Sequence, residues 1–196
     1  MNKINIRNIN WKLVVVEAIF AIFLGIAIQF GSAYLLDVVM STSVGSTDAA
    51  QDYNEIYEGL TSMTPLMIIY VSILAPLVEE LIFRLGIIGL GRKIAPFWIV
   101  NVIQAIAFGI YHGDIIQGTY AFILGLVLGI IFEYFGGYIT VLITHSSINI
   151  SGLCLVKFFP IVPSVLGRVV IGLVSFLVIG IAIIVMHRFI SRLSVD

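Results

Sequence analysis

Glu79, Glu80 and Arg84 stand within six positions of an apolar run, Leu74-Ala75-Pro76-Leu77-Val78-Glu79-Glu80-Leu81-Ile82-Phe83-Arg84-Leu85. An ionisable side chain at a bilayer centre costs about 2.5–3.5 kcal/mol on insertion scales, so three together demand compensation by protein or water. Residues four apart share a helix face, which places Glu80 with Arg84 as an ion pair. Glu79 lies about 100° away and shares its side with Phe83. Two carboxylates against one guanidinium leave one acid over, and that acid is Glu79. A spare carboxylate in apolar surroundings is a candidate for proton transfer to and from water. Glu80 and Arg84 take a supporting role on the same count.

Two further polar stripes need an explanation. Asn101, Gln104, Phe108 and His112 follow one another at spacings of three, four and four, one face of one helix. Lipid would leave the amides unsatisfied, so this stripe faces protein or a wet cavity. His145 and Asn149, again four apart, lie inside a third apolar segment. Asp114 reads as a loop acid, and His187 beside Arg188 and Arg192 as the flank of a last helix.

A carboxylate, two histidines and an asparagine can activate water and stabilise an oxyanion. Glu79, His112 and His145 could equally hold a zinc ion with one open position. Other membrane-protease chemistries find no support: there is no His-Glu-x-x-His, no Gly-x-Ser-x-Gly, and Asp37 and Asp114 fall at helix ends. Ser146 and Ser147 do not pair with His145 as nucleophiles, because adjacent helix residues do not face each other.

These side chains must be positioned by membrane helices. The 196-residue chain is 60% hydrophobic and 11% charged, far from the balance of a soluble domain. The formal net charge of −1 and scattered basic residues give no reason to expect a nucleic-acid partner. One cysteine, Cys154, excludes an internal disulfide and reads as packing. Runs of about 20 apolar residues define six spans, at 13–36, 64–90, 96–111, 117–135, 138–156 and 163–186. The third is short and the second long, and Pro76 interrupts the second, so tilt, kinking or unwinding is expected in both. The first is an uncleaved span, too long for a signal-peptide core.

The fold class is therefore all-α, a polytopic membrane bundle of about six transmembrane helices. Residues 1–62 form a first span and an acidic loop, 63–158 a catalytic core, and 159–196 a last span and tail. The loop carries Asp48, Asp52, Glu55 and Glu58, with a short amphipathic helix near 53–60. Basic clusters at Lys3, Arg7 and Lys12, at Arg92 and Lys93, and at Arg188 and Arg192 fall on one side of a six-span chain. That predicts a multi-pass cell-membrane protein with both termini cytoplasmic, with Lys157 and Arg168 as weak dissenters. Gly118, Ala121, Gly125 and Gly129 form a small-residue stripe for close helix approach.

Glu79-Glu80-x-x-x-Arg84, Phe108-x-x-x-His112 and His145-x-x-x-Asn149, in that order on successive helices, resemble the CPBP family. These are the CAAX-protease and bacteriocin-processing (Abi) membrane proteins, related to the type II CAAX prenyl endopeptidase. The resemblance covers residues 66–156. It implies that Glu79 and His112 activate the hydrolytic water, that His145 and Asn149 form the oxyanion hole, and that Glu80, Arg84 and Phe108 support them. It suits a zinc enzyme and a metal-independent glutamate mechanism equally. The expected activity is endoproteolysis of a membrane-embedded or membrane-associated peptide or protein, in bacteriocin processing or self-immunity. The alternative is a non-enzymatic immunity or regulatory protein on the same fold. A small proton-coupled transporter is disfavoured, since no inverted repeat is evident.

Overall fold

The computed structural model describes residues 11–135, 137–158 and 164–193. Lys3 and Arg7 lie outside them, as do the side chains of Lys12, Lys157, His187, Arg188 and Arg192. The described elements are helical. They are α1 (Trp11–Met40), α2 (Asp48–Thr61), a second span α3 (Pro65–Gly91), α4 (Phe97–Tyr111), α5 (Ile115–Tyr134), α6 (Gly137–Phe158) and α7 (Val165–Leu193).

Five of these, α1, α3, α5, α6 and α7, contain stretches long and apolar enough to cross a membrane. The expected sixth span, α4, has 15 residues. At about 1.5 Å per residue it is about 22 Å long, short of the roughly 30 Å of a hydrocarbon core. The six expected spans thus become five full-length helices and one short apolar helix.

Helix α3 is where the sequence signals of breakage take effect. Thr64 caps its start by accepting from the Met67 N–H, and Pro65 occupies a first-turn position where a missing N–H costs nothing. The chain then widens twice into π-helical turns, at Tyr70–Leu74 and Leu81–Ile88, on either side of an α-helical Ala75–Glu80. Such turns occur often at functional sites. Here they flank the acidic pair. Pro76 therefore changes the winding of α3 while leaving it one continuous helix.

Helices α4 and α5 form an antiparallel hairpin, and the small-residue stripe is what lets them meet. A Cβ on Gly118 would sit 2.8 Å from the Gly109 carbonyl oxygen, and one on Gly129 would overlap the Asn101 amide at 1.8 Å. Asn101 and Gln104 are fully buried in this contact. Asn101 donates to the Leu126 carbonyl at 3.1 Å, and Gln104 to the Gly125 carbonyl and the Asn101 side chain at 2.8 Å each. The polar stripe thus faces protein, and its upper half locks α4 onto α5.

Helix α1 packs along α6 and α7, while α6 also lies against α3 and α5. Leu24, Ile28, Leu128, Ile131, Val141 and Ile148 form the main apolar core between α1, α5 and α6. Near one end Arg168 pairs with Asp37 at 2.7 Å, so the positive charge that stood against the orientation reading is compensated within the fold. Near another, Arg92 pairs with Glu133 at 3.0 Å. The acidic segment carries the helix α2, longer than expected, capped by Thr47 and packed against α5 and α6.

Candidate active site

Glu79 and Glu80 project from the α-helical stretch of α3 between its two π-turns. Glu80 and Arg84 are completely buried, and Glu80 Oε1 lies 3.1 Å from Arg84 Nη1, the ion pair expected from their spacing. The pair is close without being aligned as a hydrogen bond, because the guanidinium is turned toward Phe108, with Cζ 4.7 Å from the ring centroid. A fully desolvated cation is held here by one carboxylate and one aromatic face.

Helix α6 supplies the partner that the charge count lacked. His145 Nδ1 is 2.7 Å from Glu80 Oε1, the same oxygen that faces Arg84, and His145 Nε2 is 3.6 Å from Glu79 Oε2. One imidazole therefore spans two adjacent carboxylates whose helical directions diverge. Glu79 is not without a partner, as counting charges on α3 alone suggested; its neighbour comes from another helix. The two acids still differ in access. The Glu79 side chain keeps 10% of its surface exposed, whereas Glu80 keeps none.

Asn149 sits one turn beyond His145 and donates to the Val71 carbonyl at 2.9 Å. Winding explains why that carbonyl is free. In the π-turn the Ala75 N–H returns to the Tyr70 carbonyl, and the next residue, Pro76, has no N–H to offer. Asn149 therefore satisfies an acceptor that α3 cannot satisfy itself. Tyr138, at the start of α6, adds a bond from its hydroxyl to the Leu77 carbonyl at 3.1 Å. Three ties, at Tyr138, His145 and Asn149, fix α6 against α3. Nothing in the local sequence marked Tyr138 as one of them.

Helix α4 delivers Phe108 and His112. Phe108 is fully buried and meets four groups: Phe83 at 5.0 Å, His112 at 4.7 Å and His145 at 5.9 Å between ring centroids, and Arg84 over its face. It is the side chain through which the three motifs touch. His112, half-buried at the end of α4, turns its Nδ1 to the Phe108 carbonyl at 2.8 Å. Asp114 caps α5 by accepting from the Gln117 N–H at 2.6 Å, which accounts for it as a structural acid.

The seven residues of the three motifs thus converge on one region between α3, α4 and α6. Glu79, His112 and His145 are the residues left open as zinc ligands in the alternative to a metal-independent mechanism. Among the described residues no three His, Cys, Asp or Glu side chains form a group that could hold a metal ion.

Comparison with known proteins covers the same stretch. Residues 61–151 match the family model described as "Type II CAAX prenyl endopeptidase Rce1-like". Over 51 residues the chain is 43% identical to the "Putative membrane peptidase YdiL" of Bacillus subtilis (strain 168), an alignment spanning 26% of this chain and 21% of that protein. No solved structure matches. Through this central segment, which carries all three motifs, the chain is similar to the type II CAAX prenyl endopeptidase-like membrane proteins.

Proposed function

We propose that the protein is an intramembrane endopeptidase that hydrolyses a peptide bond of a membrane-associated peptide or protein with activated water and no covalent intermediate. The observation that carries this reading is the inequality of the acid pair: Glu79 alone keeps an accessible carboxylate, beside the imidazole of His145. Membrane helices tolerate buried ionisable groups chiefly where they work, and a purely structural pair has no use for the exposed half.

In this mechanism Glu79, assisted by His112, accepts a proton from water as the oxygen attacks the scissile carbonyl carbon. With hydrogen on both ring nitrogens, His145 donates to Glu80 through Nδ1 and to the tetrahedral oxyanion through Nε2. Asn149 donates its second amide hydrogen to the same oxygen, the first being held by Val71. Glu79 then passes its proton to the leaving amine as the C–N bond breaks. Glu80, Arg84 and Phe108 hold the histidines in place, and no step requires a metal.

The catalytic core spans residues 63–158, flanked by a first span and acidic segment (1–62) and a last span and tail (159–196). Both termini face the cytoplasm. Bacteriocin processing or self-immunity is the physiological role that fits the family. The test is profiling of newly formed peptide amino termini in membranes from cells expressing wild type, Glu79→Ala, His112→Ala or His145→Ala at matched levels. Wild type should generate termini that all three variants lose. Identical profiles from the four strains would sink the proposal and leave a non-enzymatic membrane protein.

A further inference from the structure

The turn between α4 and α5 does more than reverse the chain. Helix α4 closes tightly at its end: the His112 N–H bonds the Gly109 carbonyl at 3.2 Å and the Gly113 N–H bonds the Ile110 carbonyl at 3.1 Å. This tightening leaves the Phe108 carbonyl, one of the orphan acceptors of a helix end, for the His112 side chain at 2.8 Å. A carbonyl can only accept, so the hydrogen must lie on His112 Nδ1. Nε2 is then the ring nitrogen left for chemistry.

What stops α4 one residue later is Gly113, at φ +76°. Across it the Asp114 N–H returns to the His112 carbonyl at 2.9 Å, a three-residue turn of the rare positive-φ kind. A Cβ on Gly113 would meet nothing within 4 Å, so glycine is required there by backbone conformation and not by space. Asp114 then starts α5, and the Gly109–Gly118 contact closes the hairpin just beneath the turn.

We propose that Gly113 is a positioning residue: its positive-φ turn ends α4 at His112, holds the tightened last turn that leaves the Phe108 carbonyl to His112 Nδ1, and thereby fixes the imidazole tautomer. The proposal rests on the reading of His112 as a site residue, but its first readout is independent of activity. L-residues resist positive φ, asparagine least among the non-glycine types. Gly113→Asn should therefore preserve the turn, and Gly113→Ala should disturb it without a steric clash.

The experiment uses the full chain in detergent micelles with ¹⁵N-labelled histidine, the His112 signals being assigned by their loss in His112→Gln. Wild type and Gly113→Asn should carry the hydrogen on Nδ1, while Gly113→Ala should show the other tautomer or a mixture. Hydrolysis of a pool of fluorogenic apolar peptides should fall about tenfold in kcat for Gly113→Ala at unchanged KM, and stay within about twofold for Gly113→Asn. A wild-type hydrogen on Nε2, or identical spectra for Ala and Asn, overturns the proposal. Normal tautomers in wild type and Asn with a shifted one in Ala, but no hydrolysis by any form, would uphold the turn and defeat the hydrolase reading instead.

Discussion

Replacing Glu80 by leucine tests the energetic core of the site. Glu80 Oε1 is 3.1 Å from Arg84 Nη1, and neither side chain has exposed surface. At an effective dielectric of about 20 that separation is worth roughly 5 kcal/mol of Coulomb attraction, most of it offset by desolvation. Removing only the carboxylate abandons a charged guanidinium in the interior, which costs about 3–5 kcal/mol. The lost Nδ1 partner of His145 adds about 1–3 kcal/mol. Replacing both partners, Glu80→Leu with Arg84→Met, removes the stranded charge and should recover all but about 1–3 kcal/mol. Reversible unfolding in mixed micelles gives the four stabilities of the cycle, and the expected coupling is at least the stranded-charge cost of about 3–5 kcal/mol. Additive losses, or a Glu80→Leu protein as stable as wild type, would refute the claim that this pair neutralises itself in the bundle.

Two other perturbations follow from named contacts. Asn149→Leu should cost about 1–3 kcal/mol by orphaning the Val71 carbonyl. The same substitution in a Pro76→Ala background should cost less, because an N–H at position 76 can take over that carbonyl; equal costs in both backgrounds would contradict the π-turn explanation. Gly129→Ala should lose about 1–3 kcal/mol through collision with the Asn101 amide. Gly180→Ala, with nothing within 4 Å of the new methyl, should be neutral or slightly stabilising in the same unfolding measurement.

Much of this architecture can be read from residue types because a bilayer permits few solutions. Apolar length located five spanning helices, and the four-residue spacings of Glu80–Arg84, Phe108–His112 and His145–Asn149 put each motif on one helix face. Small-residue periodicity on α5 foretold a close helix approach, and the structure shows α4 as the helix that makes it. The short length of the Phe97–Tyr111 segment was visible too, and it is the one expected span that falls short of full length. Spacing along one chain cannot show which helices meet. For that reason the partner of Glu79 was hidden, since His145 lies 66 positions later, and so was the commitment of Asn149 to a carbonyl freed by a π-turn. The contribution of Tyr138 has no local signature at all. Gly113 could have been suspected as a helix terminator after His112, but its effect on the imidazole depends on the tight last turn of α4.

The central claim is that Glu79 activates water for peptide hydrolysis. Its most direct test is single-turnover cleavage of the apolar fluorogenic peptide pool in ¹⁸O-water by wild type and Glu79→Gln at equal folded concentrations. Wild type should place one ¹⁸O in each new carboxyl group, and Glu79→Gln should be slower by at least about 10²-fold, the scale of a lost general base. A Glu79→Gln protein cleaving the same bonds within a few-fold of the wild-type rate would contradict the account.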